Sequence, residues 1–349
     1  MNRKKLPFTL DPLDTKLVLP KPKNSVEDET VLALEKENRA LYTRKRDGYG
    51  VVLVVTGRVR IYTRGSNRKI TANVPHIVKE LEGARIPQNS VFCGELHAEK
   101  AGKDWRDFIT SITGEDAAKA VALQHTHARA RLMSYNALVL SGRDVASLSN
   151  AERIGTVQEC FTGLEYAFPV EMVNRSFADA QVAAIENAWE GLVVYDKTKP
   201  TAYRLDGNDD RPPRPDGCWK RKPIYEDDFV AIGWVAGTAG KRHAHRMGKL
   251  VLAQAHPETG ALVPCGEVGI GFSDAEREYF ASDKRFPCAV QVEYERRNAP
   301  RRVSKHHTQC ALTNPRFVRL RDDKTPAACL LPGDLARHYD AFIAQAIRA

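Results

Sequence analysis

The feature that most constrains this chain is a lysine directly before an Asp-Gly turn. The stretch Lys45-Arg46-Asp47-Gly48 follows an amphipathic segment and precedes a run at 51–55 that is rich in valine. Asp-Gly pairs favour tight turns and β-branched runs favour strands, so the lysine is predicted at the mouth of a strand. A lysine there is placed to act as a nucleophile, which requires the neutral amine. A surface turn with a solvated lysine is the alternative interpretation.

Composition indicates a basic, globular chain. With 349 residues, of which 42% are hydrophobic, it is long enough for two ordinary domains with buried cores. The formal net charge of +9 favours a polyanionic partner, most simply nucleic acid, although a soluble protein can be basic without one.

Cysteine spacing and apolar segments bear on the compartment. The seven cysteines are scattered without a C-x-x-C pair, which argues against a disulfide framework and favours a reducing compartment. The basic start lacks the apolar run of a signal peptide, and no stretch approaches the length of a membrane span. We therefore expect a soluble, cytoplasmic monomer without membrane contact.

Periodicity predicts an α+β chain of two domains with flanking segments. Residues 1–38 form a polar, proline-punctuated arm, and residues 39–223 form the first domain. In that domain, strands are expected around Tyr42 and at 51–55, 59–62, 91–96, 132–140 and 190–195, and helices at 74–81, 117–123 and 176–189.

The pattern changes after Pro223 to short strands with glycine turns. Strands expected at 232–235, 250–253, 268–272 and 290–294 predict a small closed β-barrel over residues 224–325, of the size of oligonucleotide-binding (OB) barrels. Residues 326–349 form a C-terminal segment with a terminal helix expected at 333–349.

Five short stretches in a fixed order carry a resemblance to a known family. They are Lys45-x-Asp47-Gly48, Phe92-Cys93-Gly94-Glu95-Leu96, Glu190-Gly191-Leu192-Val193, Lys220-Arg221-Lys222-Pro223 and Arg321-Asp322-Asp323-Lys324. Together they resemble the ordered motif set of ATP-dependent DNA ligases, and the segment from Gly233 looks most like the barrel of small bacteriophage DNA ligases. The resemblance implies a nucleotidyltransferase (adenylation) domain of ATP-grasp-like antiparallel sheets with helices, followed by an OB-fold β-barrel.

The resemblance also implies roles for three lysines. Lys45 would attack the α-phosphate of ATP, displace pyrophosphate and become a lysine–AMP phosphoramidate. Lys220 and Lys222 alternate along a strand, so both face one side, where they would clamp that phosphate and favour the neutral amine of Lys45. For Lys220 and Lys222, a solvated lysine face is the alternative.

Two glutamates and a tyrosine are the remaining nucleotide candidates. Glu95 and Glu190 stand in apolar runs, where a carboxylate is costly unless it is paired or bound to a metal. The resemblance assigns Glu95 to the ribose or the metal and Glu190 to a divalent cation, with Mg²⁺ expected beside ATP. Tyr135 matches an aromatic residue that stacks on adenine. Water-facing glutamates and a core tyrosine are the alternatives.

Several basic residues are candidates for contacts with pyrophosphate and DNA. The resemblance implies that Arg321 and Lys324 orient the pyrophosphate leaving group. Contacts with nicked duplex DNA are expected, with solvated surface charge as the alternative, from Arg64, Lys241, Arg242, Arg316 and Arg319.

One position departs from the family pattern. The pattern usually continues K-x-D-G-x-R, and Gly50 stands at the place of that arginine. The missing guanidinium normally helps to hold the AMP–DNA intermediate, and the nearby Arg46, Arg58 and Arg60 are the candidate substitutes.

The sequence therefore predicts an ATP-dependent DNA ligase that seals 5′-phosphate/3′-hydroxyl nicks through lysine–AMP and AMP–DNA. Within the superfamily, an RNA ligase and an mRNA capping guanylyltransferase are the alternatives. A non-catalytic nucleic-acid-binding protein with a decayed ligase site is the alternative from another class.

Overall fold

The computed structural model divides the chain into two compact units, Met1–Lys222 and Pro223–Ala349. It describes residues 17–23, 26–64, 68–98, 105–114, 116–201, 204–205, 213–240, 244, 246–282, 285–304 and 307–348. The predicted DNA contacts Lys241 and Arg242 lie outside the described residues. Within the described ranges, no helix has the length and apolar character needed to cross a bilayer.

The first unit consists of antiparallel sheets with helices packed on them, which confirms the expected α+β class. Its helices are α1 (Asp28–Lys36), α2 (Pro75–Gly83), α3 (Trp105–Ile112), α4 (Ala117–Thr126), α5 (Asn150–Phe161) and α6 (Phe177–Glu186). Its strands are β1 (Leu17–Val18), β2 (Ala40–Lys45), β3 (Tyr49–Val55), β4 (Val59–Thr63), β5 (Ser90–His97), β6 (Arg131–Leu140), β7 (Arg143–Asp144), β8 (Ala167–Pro169), β9 (Gly191–Asp196), β10 (Arg204–Leu205) and β11 (Cys218–Arg221).

The largest sheet of this unit has the order β4-β3-β5-β6-β7, with β8 added beside β6 in parallel. Alternation along β3 sends Val51 and Leu53 into the main core beneath the helices. Val52 and Val54 face the opposite side, where they pack with Leu19. This second face extends towards the candidate site.

A smaller sheet has the order β11-β9-β2, and all its pairings are antiparallel. Leu192 and Val194 of β9 pack against Val31 of α1 and Phe177 of α6. The pairing register sets Lys45, the last residue of β2, opposite Gly191, the first residue of β9. The small sheet therefore gathers the ends of three motif-bearing strands.

The second unit is built around one antiparallel sheet of order β14-β13-β12-β15-β20. Its strands are β12 (Tyr225–Ala236), β13 (Met247–Ala255), β14 (Leu262–Val268), β15 (Cys288–Tyr294), β16 (Arg296–Arg297), β17 (Arg301–Ser304), β18 (His307–Gln309), β19 (Leu312–Thr313) and β20 (Arg316–Leu320), and its helices are α7 (Asp274–Phe280) and α8 (Gly333–Arg348). Phe229, Phe280 and Phe317 lie in its core. An isolated parallel bridge joins Ile270, beyond β14, to Arg316 of β20.

One predicted strand is wrong. The segment 268–272 is not a strand, because β14 ends at Val268 and the chain turns towards α7. Gly271 has φ +97, and a Cβ there would lie only 2.9 Å from Cγ of Arg316. This segment therefore crosses close to β20 in a conformation that favours glycine. Helices α3, α5 and α7 were not predicted.

Arg153 of α5 is a buried anchor of the first unit, with a relative exposure of 1%. Its guanidinium donates hydrogen bonds to Oδ1 of Asn136 (2.9 Å), Oδ1 of Asn150 (2.6 Å) and the carbonyl of Leu148 (2.5 Å). Replacing Arg153 with leucine leaves these acceptors without a donor. We expect the free energy of unfolding of this unit to fall by about 3 kcal/mol in urea denaturation.

The matched control is Arg143→Leu, which alters an exposed arginine on β7. We expect it to change stability by less than about 0.5 kcal/mol. A similar loss in both variants would show that the buried hydrogen bonds are not the cause.

Candidate functional site

A cleft of about 330 Å³ opens in the first unit, at the ends of the motif-bearing strands. Seven residues that the sequence analysis singled out line it together, namely Lys45, Arg64, Glu95, Tyr135, Glu190, Lys220 and Lys222. They come from six separate stretches of the chain, so folding alone brings them into one place. The volume lies within the range of small-molecule sites.

Lys45 belongs to an ion-pair network in this cleft that is centred on Glu190. Its Nζ is 2.5 Å from Oε2 of Glu190, and Nζ of Lys222 is 3.6 Å from Oε1 of the same carboxylate. The side chains of Lys45 and Glu190 are 23% and 16% exposed. The ion pair with Glu190 therefore holds the amine of Lys45 in place within the cleft.

Two glycines make the close strand contacts possible. A Cβ on Gly48 would lie 2.8 Å from Cγ of Glu95, which would push that carboxylate from its place. Gly191 has φ +142, and a Cβ there would lie 2.9 Å from Cα of Lys222. Glycine is required at both positions because larger residues would separate the strands that carry the charged side chains.

Glu95 is the most strongly perturbed acid of the cleft. Burial raises its pKa to about 7, although Arg64 and Lys45 act in the opposite direction, and the Glu190 carboxylate adds to the rise. The carboxyl therefore changes charge near neutral pH. In its ionised form, such a carboxylate binds a cation or accepts a hydrogen bond from a ribose hydroxyl best.

Arg64 occupies the space that a side chain at position 50 would need. A Cβ on Gly50 would lie 2.6 Å from Cζ of Arg64, whose backbone N–H donates to the Gly50 carbonyl at 2.8 Å. The Arg64 guanidinium is also hydrogen-bonded to the phenol of Tyr135. The arginine missing at position 50 is therefore replaced in space by Arg64.

The three substitutes suggested by the sequence do not fill that space. Arg46 lines the cleft but is bound to Oε1 of Glu171 at 2.5 Å. Arg60 lies opposite Val54, at the far end of β3, and donates to Oγ1 of Thr56 at 2.6 Å. Arg58 lies in the turn beyond β3, next to that far end.

Apolar and aromatic side chains form part of the wall of the cleft. They are Met133, Tyr135, Val170, Val193 and Tyr195. Residues 133 and 135 alternate on β6, and residues 193 and 195 alternate on β9. Of these five, sequence analysis assigned only Tyr135 to the site. The two-residue period of a strand would also have indicated Met133, which lies on the same face of β6. The group offers apolar surface for a flat ring.

Positive charge dominates the cleft. Among the described residues that line it, eight are lysine or arginine and two are glutamate. Three of the cations were missed by the sequence analysis, namely Lys21, Arg44 and Arg214. Such an excess of cations in a concave site suits a ligand with several negative charges.

The cleft offers two carboxylates for a metal, Glu95 and Glu190. In the described part of the chain, no group of three or more histidine, cysteine, aspartate or glutamate side chains is gathered to hold a metal ion. Mg²⁺ commonly binds through one or two carboxylates together with substrate phosphates and water. The donor set therefore fits Mg²⁺ together with a phosphate ligand.

The second unit holds the other predicted side chains. Arg321 and Lys324 are both bound to Asp228, each at 2.7 Å, and Arg321 also makes two hydrogen bonds with Asp323. Arg316 and Arg319 are exposed on β20. These basic residues of β20 are available on the surface of their own unit.

Comparisons with known proteins agree on one family. The family model of the ATP dependent DNA ligase domain matches residues 20–208. A DNA ligase of Thermococcus onnurineus (strain NA1) is 27% identical over 322 residues, which cover 84% of this chain and 53% of that relative. A DNA ligase of Thermococcus fumicolans is 28% identical over 317 residues, with coverages of 84% and 54%. The chain spans about half the length of these curated relatives.

A solved structure from an analysis of Lig E DNA ligases has a similar fold. It superimposes with a TM-score of 0.53 at 17% identity and covers 87% of this chain and 99% of that chain. At this identity the likeness concerns the fold.

The raised pKa of Glu95 predicts a pH dependence of stability. The folded-state value of about 7 lies above the ordinary value of 4.5, so the folded chain keeps a proton that the unfolded chain loses. The contribution of Glu95 to the free energy of unfolding is therefore fully present below pH 4.5 and is lost as the pH rises to about 7. We expect Glu95→Gln, which stays neutral, to gain stability relative to the wild type across this window, measured by thermal unfolding.

The exposed Glu186 provides the control substitution, Glu186→Gln. We expect this variant to follow the wild-type profile. A constant difference between Glu95→Gln and the wild type from pH 5 to pH 8 would contradict the prediction.

Proposed function

The chain belongs to the family of ATP-dependent DNA ligase domains, and from that premise we propose that it seals nicks in duplex DNA between a 5′-phosphate and a 3′-hydroxyl. The observation that carries the proposal is the cleft in which Lys45, Glu190 and Lys222 are joined by ion pairs. A potential nucleophile, a metal-binding carboxylate and a phosphate-binding cation meet there within a few ångströms.

In the first proposed step, Nζ of Lys45 attacks the α-phosphorus of ATP. The ammonium group first gives one proton to solvent. The new N–P bond then forms as the P–O bond to pyrophosphate breaks, and the nitrogen releases a second proton to leave the phosphoramidate. Glu190, which would also be a ligand for Mg²⁺, has to release Lys45 for this. Lys220 and Lys222 line the same cleft, where they balance the charge that develops on the phosphate.

In the following steps, the 5′-phosphate of a nick takes AMP from Lys45, and the 3′-hydroxyl then attacks and expels AMP. We assign Arg64 to the 5′-phosphate, because it fills the space beside Gly50 within the cleft. Glu95 serves the ribose or Mg²⁺, and Tyr135 offers its ring to adenine. Bound Mg²⁺ would supply positive charge beside the phosphates.

The second unit is proposed to be an OB-fold barrel that contacts the duplex. Its strand order β14-β13-β12-β15-β20, with α7 between β14 and β15, suits this fold. The parallel bridge between Ile270 and Arg316 brings the two edges of the sheet together. Exposed Arg316 and Arg319 are suited to duplex phosphates, and Arg321 and Lys324 to the pyrophosphate group.

The proposal predicts a covalent adenylate on Lys45. The purified protein is incubated with Mg²⁺ and α-labelled ATP, GTP or NAD⁺, and label is followed on the denatured polypeptide. We expect label from ATP alone, its complete loss in Lys45→Ala, and its release on nicked duplex DNA with sealing. Lys36→Ala, at the exposed end of α1, is the matched control and should label normally.

Each other outcome contradicts the proposal in a specific way. Label from GTP would indicate a capping guanylyltransferase, and sealing restricted to RNA nicks would indicate an RNA ligase. No label from any nucleotide, with nicked DNA still bound, would leave a non-catalytic binding protein.

The contact between Gly50 and Arg64 predicts non-additive substitutions. Gly50→Ala should displace the Arg64 guanidinium and slow nick sealing by about tenfold, equivalent to about 1.4 kcal/mol of transition-state stabilisation. In an Arg64→Ala background, the same substitution should have almost no further effect, because the clash is gone. Single-turnover sealing of the four variants measures this coupling.

Gly83→Ala is the control for the glycine substitution, since a Cβ there would meet nothing within 4 Å. Equal rate losses from Gly50→Ala in both backgrounds would show that position 50 acts independently of Arg64.

A further inference from the structure

The segment 19–23 is fixed to the first unit on both sides of Lys21. Leu19 is 1% exposed and packs against Val52 and Val54 of the large sheet. The backbone N–H of Lys21 donates to the Pro213 carbonyl at 3.0 Å, and that of Lys23 donates to the Cys218 carbonyl at 2.8 Å. The segment is therefore part of the folded unit.

This attachment brings the Lys21 side chain into the cleft. The segment runs along the cleft, since Pro20, Lys21 and Pro22 all line it, and Leu19 packs on the adjoining face of the large sheet. Lys21 lines the cleft together with Lys45, Glu95 and Lys220. Lys23 is not among the lining residues, and its amine is paired instead with Asp216, whose side chain is 81% exposed.

The surroundings of Lys21 are strongly cationic. Burial lowers its pKa, and the nearby charges of Arg64, Arg214 and Lys220 lower it further, whereas Glu95 acts in the opposite direction. Arg214 is held in place by a hydrogen bond from its Nη1 to the Pro22 carbonyl at 2.8 Å. A lysine placed among three other cations is stabilised when an anion enters the site.

We propose that Lys21 binds a phosphate group of the reacting substrates and that the segment 19–23 is thereby part of the active site. The proposal rests on the proposed function for the source of that phosphate, which is either ATP or the 5′-phosphate of the nick. Lys21 supplies a point charge on a flexible stem, and Lys45, Lys220 and Lys222 approach from the sheet ends.

Two assays separate the two phosphate sources. The first measures the rate of lysine adenylation at varied ATP concentration without DNA. The second measures sealing of nicked DNA that already carries AMP on its 5′-phosphate, without ATP. We expect Lys21→Ala to be at least about tenfold slower in one of them, since charge-assisted hydrogen bonds to phosphate have this strength.

A defect in adenylation with a raised KM for ATP assigns Lys21 to the nucleotide, and a defect confined to the second assay assigns it to the nick. Lys21→Arg should recover most of either rate because it keeps the positive charge. Lys23→Ala, two residues away and outside the cleft, should stay within about twofold of the wild type in both assays.

Rates within twofold of the wild type for Lys21→Ala in both assays would overturn the proposal. So would equal losses in Lys21→Ala and Lys21→Arg, because they would indicate a packing role. The affinity for ATP, measured by calorimetry, needs no turnover. It therefore tests the role of Lys21 separately from the ligase function. If the wild type binds ATP but takes up no label, the ligase function fails, and Lys21 is then judged by whether Lys21→Ala weakens that binding tenfold.

Discussion

The close approach of β9 and β11 at Gly191 is the constraint on which the arrangement of the site depends. Because residue 191 has no Cβ and adopts φ +142, the backbone at Lys222 can lie against it. On its other side, β9 pairs with β2, which places Lys45 opposite Gly191. Neighbouring strands lie about 4.8 Å apart, so this register brings the lysine within ion-pair distance of the adjacent Glu190.

This packing gathers cations in the cleft, and their charge favours ligands that carry several negative charges. One carboxylate, Glu190, is shared by Lys45 and Lys222, and among the described lining residues eight lysines and arginines stand against two glutamates. Repulsion among these cations weakens when a polyanion enters, so a triphosphate gains more from the site than a singly charged ligand does. Under the proposed function, a ligand that engages Glu190 breaks its ion pair with Lys45, so substrate binding and release of the lysine are coupled through one carboxylate.

Much of the fold and several residues that line the cleft could be predicted from sequence, because the sequence signals for them are local. The alternation of Lys220 and Lys222 and the turn after Lys45 are such signals. Helices α5 and α7 were missed although each begins with a capping box, at Ser149 and Ser273, that is visible in the sequence. The substitution of Arg64 for the arginine missing at position 50 could also have been predicted. A hairpin that pairs Val51 with Thr63 puts Arg64 opposite Gly50.

The role of the first segment could not be predicted in this way. Its sequence is a proline-punctuated polar stretch, and its placement depends on backbone hydrogen bonds from Lys21 and Lys23 to residues about two hundred positions later. No local periodicity encodes a contact of that separation. The second unit shows the same limit, since Asp228 on β12 holds both Arg321 and Lys324, which come almost a hundred residues later. Under the proposed function, a phosphate that binds these two cations replaces one anion with another. Asp228 therefore orients Arg321 and Lys324 before the phosphate arrives. Both cations can still bind the phosphate, because it offers the same negative charge as the carboxylate that it replaces.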